Sequence, residues 1–258
     1  MLRAKVVPPA LKREARMATF VLVHGAWHGG WCWQKVVPLL EAAGHEVYAP
    51  TLTGLGERAS ELSPDVGLGT HIQDVVGLLV EKDLRGVILV GHSYGAMVIT
   101  GVVDAVPERI AHLVYLDTFV PRDGEAMVDV SPLAVHLILR MQTRPDGWRV
   151  DSRGTYGVTT EPDRSWLLSK VTPQSLKTFE EPLHLKNPAI VSATPRTHIE
   201  CIGGGPFSEF VQRVVAHLLA PRSLPPTVAG WRLRRLHTGH DAMITMPEGL
   251  ADLLLEVV

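Results

Sequence analysis

The sequence predicts an α/β fold: a mostly parallel sheet with helices on both faces. Three observations carry that prediction. From Thr19 onward, short apolar runs alternate with amphipathic stretches. The runs are rich in Val, Ile and Leu without strict alternation, as strands covered on both faces are. Their order, strand then helix then strand, is that of parallel strands joined by crossover helices.

The elements follow in order. TFVLVH (Thr19–His24) is the first buried strand. A helix is expected over Trp33–Ala43, where Val36, Val37, Leu39, Leu40 and Ala43 form an apolar stripe, and Gly44 ends it. HEVYAP (His45–Pro50) is the next strand, and His71–Val80 the next helix. GVILVGHS (Gly86–Ser93) is a strand, Tyr94–Val106 a helix of small residues, and RIAHLVYLD (Arg109–Asp117) a strand. The rhythm then breaks over residues 121–190, with helical pieces at Leu133–Met141 and Trp166–Lys170. About seventy residues is too long for a plain loop in a compact domain, so this stretch reads as an inserted helical cap. The pattern resumes with THIECIG (Thr197–Gly203), a helix at Phe207–Leu219, WRLRRLH (Trp231–His237) and a last helix at Pro247–Val258. Residues 1–17 read as an N-terminal extension, because Pro8-Pro9 and Lys12, Arg13, Glu14 and Arg16 suit a tail and Met17 suits a start. The core is then 18–120 and 191–258, with the cap at 121–190.

Composition limits the function. The 258 residues are 46% hydrophobic and 20% charged with a net charge of −2, so a disordered chain and a nucleic-acid footprint are both excluded. No apolar run reaches the length of a membrane span, and the basic N-terminus lacks the apolar core of a secretory signal. Two cysteines, Cys32 and Cys201, are too few for a disulfide scaffold and fit a reducing cytoplasm. Nothing in the chain opposes a homodimer.

Gly91-His92-Ser93-Tyr94-Gly95 matches G-x-S-x-G. With 11 serines and 23 glycines, roughly 0.1 such matches arise by chance, so the pattern alone says little. Its context says more: it closes the strongest buried strand and opens a helix, as a nucleophile elbow does. A serine needs a base and an orienting acid, and with this elbow the order is Ser, acid, His. His240 lies after the last strand, where that base belongs; His237 is nearer the strand end and reads as structural. For the acid, Asp117 at the end of a strand is preferred over Glu209 and Glu200. The oxyanion hole would use the backbone N–H groups of Tyr94 and Ala26, the latter on the Gly-rich loop after the first strand. His24 and His28 could be read as metal ligands, but no third ligand is near in sequence, so no metal is expected. Gly54-Leu55-Gly56 lacks the rest of a phosphate loop.

LVHGAWHGGWCW, PTLTGLGER, GHSYGAMV, YLDTFVP and TGHDAM together resemble the α/β-hydrolase superfamily, in the branch of methylesterases, hydroxynitrile lyases and small bacterial serine esterases. The resemblance covers Ala18 to Val258 and implies a six-stranded sheet and a Ser93–His240 pair. Asp117 matches the acid of members that place it after the strand following the elbow helix. The lyases carry Thr and Lys where this chain has Gly25 and Asp241, so the resemblance is to the esterases. The expectation is a cofactor-free serine carboxylesterase acting on a small apolar or aromatic ester through an acyl-enzyme. Lactone, amide or C–C bond cleavage at the same triad, or ligand binding without catalysis, are the alternatives. Trp27, Met127, Leu133, Leu137, Met141, Trp148 and Trp166 are the expected substrate-binding residues.

Overall fold

The structure is a computed structural model that describes residues 17–130, 139–203 and 231–258. Six parallel strands form one sheet: β1 (Thr19–Val23), β2 (Glu46–Tyr48), β3 (Val87–His92), β4 (Ile110–Leu116), β7 (Arg196–Cys201) and β8 (Trp231–Leu236). Their spatial order is β2-β1-β3-β4-β7-β8. The nine described helices are α1 (Val37–Ala42), α2 (Leu68–Glu81), α3 (Gly95–Ala105), α4 (Met127–Val130), α5 (Asp163–Lys170), α6 (Lys177–Glu180), α7 (Pro188–Ala193), α8 (Ala242–Thr245) and α9 (Pro247–Leu255).

Period-two alternation divides the strand residues between two cores. Val21, Val23, Val87 and Leu89 face one cluster, which α2 and α3 complete with Val75, Leu79, Met97 and Val102. Phe20, Leu22, Ile88 and Val90 face the other, completed by Trp33, Leu40, Leu250 and Leu254. All six residues of β3 are buried, which is why that stretch reads as a continuous apolar run.

Among the described residues the predicted strands and helices are present, with shifted ends. The first predicted helix is split: Gly30–Trp33 is a 3-10 turn and only Val37–Ala42 is α-helical. α2 starts three residues earlier than expected, at Leu68, where a Thr70 side chain closes back on the Gly67 N–H. The insertion is not wholly helical. β5 (Arg149–Val150) and β6 (Gln174–Ser175) form an antiparallel ribbon. Two-residue strands carry no periodic signal, so the sequence could not show them. The predicted helix Phe207–Leu219 and most of Leu133–Met141 lie outside the described residues.

The order of strands positions the site. The chain steps from β1 outward to β2, then returns to β3 on the other side of β1. The loops after β1 and β3 therefore part at a topological switch point, where open α/β sheets form a crevice.

Candidate active site

The elbow is built by close packing. Ser93 sits in the left-handed region with φ 52°, between β3 and α3. A Cβ on Gly91 would lie 2.7 Å from the Gly95 carbonyl oxygen. A Cβ on Gly95 would lie 2.9 Å from the carbonyl oxygens of both Val23 and His24. Those clashes are with backbone, which cannot turn aside, so both flanking positions demand glycine. Ser93 N–H donates to Leu116 O at 3.1 Å, and Thr118 Oγ1 donates to Ser93 O at 2.8 Å, which fixes the strained turn.

Asp117 follows β4 and also has a left-handed backbone, φ 44°. Its Oδ2 is 2.6 Å from His240 Nδ1, and its Oδ1 accepts the Cys201 N–H at 3.0 Å. Asp117 is thus held by the neighbouring strand while it holds the imidazole. With Nδ1 donating to Asp117, Nε2 of His240 carries the free lone pair. Glu200, an alternative acid, is spent on Arg235 at 3.0 Å; Glu209 lies outside the described residues. His237 is exposed on its way out of β8.

Burial works against a charge on His240, but the Asp117 hydrogen bond and the charges of Asp117 and Asp241 outweigh it, raising its pKa above the ordinary 6.5. Only the neutral imidazole can take a proton at Nε2, so activity that draws on it is expected to fall on acidification with a limb centred above pH 6.5. A profile that stays flat down to pH 6 contradicts this. The sign for stability is opposite. A raised native pKa stabilises the fold below the unfolded value and loses that contribution as pH rises through the native one.

Ala26 and Tyr94 are buried, and among the described residues neither backbone N–H donates a hydrogen bond. Buried N–H groups are rarely left unused. Tyr94 is locked by its side chain: its hydroxyl is 2.9 Å from His71 Nδ1, while His71 Nε2 donates to Thr53 O. The peptide after Ala26 is clamped from the insertion, since Trp27 N–H donates to Gln174 Oε1 at 2.8 Å. Thr172 N–H reaches Trp27 O at 3.0 Å, and the Trp27 indole donates to Val150 O at 3.0 Å.

The loop carrying His240 is held on several sides. Asp241 N–H donates to Tyr156 O, and His92 Nε2 donates to His240 O at 3.0 Å. Gly157, with φ 84°, packs so closely on Gly239 that a Cβ there would lie 2.6 Å from its Cα. Gly157→Ala is expected to cost about 1–2 kcal/mol through the backbone alone, and more through the clash, lowering Tm and kcat together. A variant with wild-type Tm and kcat would show this contact to be unimportant.

His24 and His28 do not form an open metal pair. Each spends both ring nitrogens on protein partners, His24 on Gly25 O and Leu52 N–H, His28 on Ala26 O and Asp241. Among the expected substrate-binding residues, Trp27 lies on the loop after β1, packed on Phe179 and Tyr156, and Met127 packs on the first core. Trp166 turns instead to Trp31 and joins the second core, Trp148 lies under Arg149, and Met141 is largely exposed. Leu133 and Leu137 lie outside the described residues. Gln174, Tyr156 and His92 were not singled out from the sequence, His28 was weighed only as a metal ligand, and Asp241 only against the lyases. His92 and Asp241 adjoin Ser93 and His240, which was the one available signal.

Known proteins place the chain. Residues 20–253 match the family described as Alpha/beta hydrolase family. A carbendazim hydrolyzing esterase of Nocardioides sp. (strain SG-4G) is 39% identical, covering 92% of this chain and 98% of its own. Methylesterase 2 of Arabidopsis thaliana is 28% identical, covering 96% and 98%. Among solved structures, an extracellular α/β-hydrolase from a Paenibacillus species has a TM-score of 0.75 at 24% identity, covering 93% and 98%. Tomato methylketone synthase I has a TM-score of 0.76 at 20% identity, covering 94% and 98%. The chain belongs to the α/β-hydrolase family, among relatives that are esterases and methylesterases.

Proposed function

We propose that this ester hydrolase works through a Ser93–His240–Asp117 triad and an acyl-enzyme intermediate. Ser93 Oγ attacks the ester carbonyl while His240 Nε2 takes its proton. Asp117 keeps the imidazole in the right tautomer and offsets its charge. The Ala26 and Tyr94 N–H groups receive the oxyanion. The alcohol leaves with the proton from His240, which next activates water to release the acid and restore Ser93. The observation that carries this reading is the 2.6 Å contact between His240 Nδ1 and Asp117 Oδ2, formed across 123 residues of chain.

Residues 121–190 act as a cap over the core of 18–120 and 191–258, and residues 1–17 as an extension. Trp27, held by Val150 and Gln174 of that cap, sets an aromatic cluster with Tyr156 and Phe179 next to Ala26. This favours a small ester with an apolar or aromatic group, and the relatives named above make methyl esters and carbendazim the first compounds to try. Cys32 and Cys201 are buried and free, in keeping with a cytoplasmic setting. Among the described residues no helix is long and apolar enough to cross a membrane.

The test is hydrolysis of p-nitrophenyl acetate and butyrate, followed by a panel of methyl esters and carbendazim, by wild type and Ser93→Ala. Turnover by wild type and none above blank by the variant is the expected result. Full activity in Ser93→Ala contradicts the reading.

A further inference from the structure

His28 and Asp241 are buried, at 1% and 0% exposure, and the mechanism above gives neither a step. His28 lies two residues beyond Ala26, and Asp241 directly follows His240. His28 Nδ1 is 2.7 Å from Ala26 O, and Nε2 is 3.0 Å from Asp241 Oδ2. A carbonyl oxygen only accepts, so Nδ1 carries a proton. The contact at Nε2 needs one more proton, on the ring or on the carboxyl group. The couple is neutral as a whole in either form, which makes its burial affordable where a lone carboxylate would not be.

The couple closes a loop of contacts around the site. The peptide between Ala26 and Trp27 is gripped at both ends, its carbonyl by His28 and its N–H by Gln174 Oε1. Trp27 has φ 65°, a region that a tryptophan enters only when held there. Fixing that peptide fixes the rotation of Ala26 and hence the aim of the Ala26 N–H. The second oxygen, Asp241 Oδ1, has no hydrogen-bond partner among the described residues and stands 3.8 Å from His92 Nε2, which itself donates to His240 O.

We propose that Asp241 is a positioning residue: through His28 it holds the Ala26 peptide in register with His240, its own neighbour in the chain. The proposal rests on the roles given above to Ser93, His240 and Ala26. Oxyanion donor and base would then move as one unit, because the carboxylate that holds His28 belongs to the residue next to His240.

The test compares wild type, Ser93→Ala, Asp241→Ala, Asp241→Asn and His28→Phe on p-nitrophenyl butyrate. Rates are normalised to sites titrated by a fluorophosphonate, and butaneboronic acid serves as a transition-state analogue. Asp241→Ala and His28→Phe should lower kcat by roughly 30- to 1,000-fold, as displaced oxyanion donors do, with KM within about threefold. Boronate affinity should fall with kcat. Asp241→Asn can still donate to His28 Nε2, so it should recover much of the loss in Asp241→Ala. A purely structural role would change the yield of titratable sites and leave boronate affinity in place. Wild-type kcat and boronate affinity in a folded Asp241→Ala or His28→Phe overturns the proposal, as does a loss expressed in KM alone. If neither folds, wild-type kcat and boronate affinity in Asp241→Leu, which keeps the volume but has no group to bond His28, overturn it. A wild-type protein without Ser93-dependent turnover would sink the triad itself, a result distinct from a failure of this tie.

Discussion

His240→Ala lowers kcat for ester hydrolysis by about 10⁴- to 10⁶-fold, with substrate binding largely kept. Triad members act as a unit, and losing the base costs nearly as much as losing the whole set. The side chain reaches its position from a loop that several independent contacts hold, from Tyr156, Gly157 and His92. An alanine there leaves the loop its backbone bonds, so the variant should fold and melt near the wild-type Tm. Stopped assays on p-nitrophenyl butyrate at pH 8 check both points. Activity within tenfold of wild type would mean that another group takes the proton.

Asp117→Asn lowers kcat by about 10³- to 10⁴-fold. An amide at this position presents either an N–H or a weaker acceptor to His240 Nδ1, so the imidazole loses both its tautomer and the charge that offsets its protonation. The Cys201 N–H can still bond to the amide oxygen, which keeps the β4–β7 edge intact. The same change removes the strongest influence raising the His240 pKa, so the residual activity should survive to lower pH than in wild type. Glu200→Gln, which breaks only an exposed pair with Arg235, should leave kcat within about twofold. The reverse ranking of these two variants would reassign the acid.

Much of this site was legible in the sequence because its chemistry is tied to strand ends. Ser93, Asp117 and His240 each follow a strand whose apolar run is plain, so their meeting at one sheet edge follows from topology. The glycines of the elbow were legible for a steric reason that the Gly91 and Gly95 contacts make explicit. What the sequence hid was long-range and non-periodic. Nothing near Gln174 announces that its side chain will grip the Trp27 N–H, since the contact spans 147 residues. β5 and β6 are too short to show alternation. Trp166 reads from the sequence as a substrate-binding aromatic of the insertion, yet it packs edge-on against Trp31 in the second core. Asp241 was visible as the residue beside His240 and as a departure from the lyases; its partnership with His28 needed the fold.

Fluorophosphonate labelling followed by intact-mass and peptide mapping tests the central claim most directly. Wild-type protein should gain one adduct, on Ser93, at a rate that falls as His240 becomes protonated, and Ser93→Ala should gain none. An adduct on another residue, or ester turnover that persists in an unlabelled Ser93→Ala protein, would contradict the account.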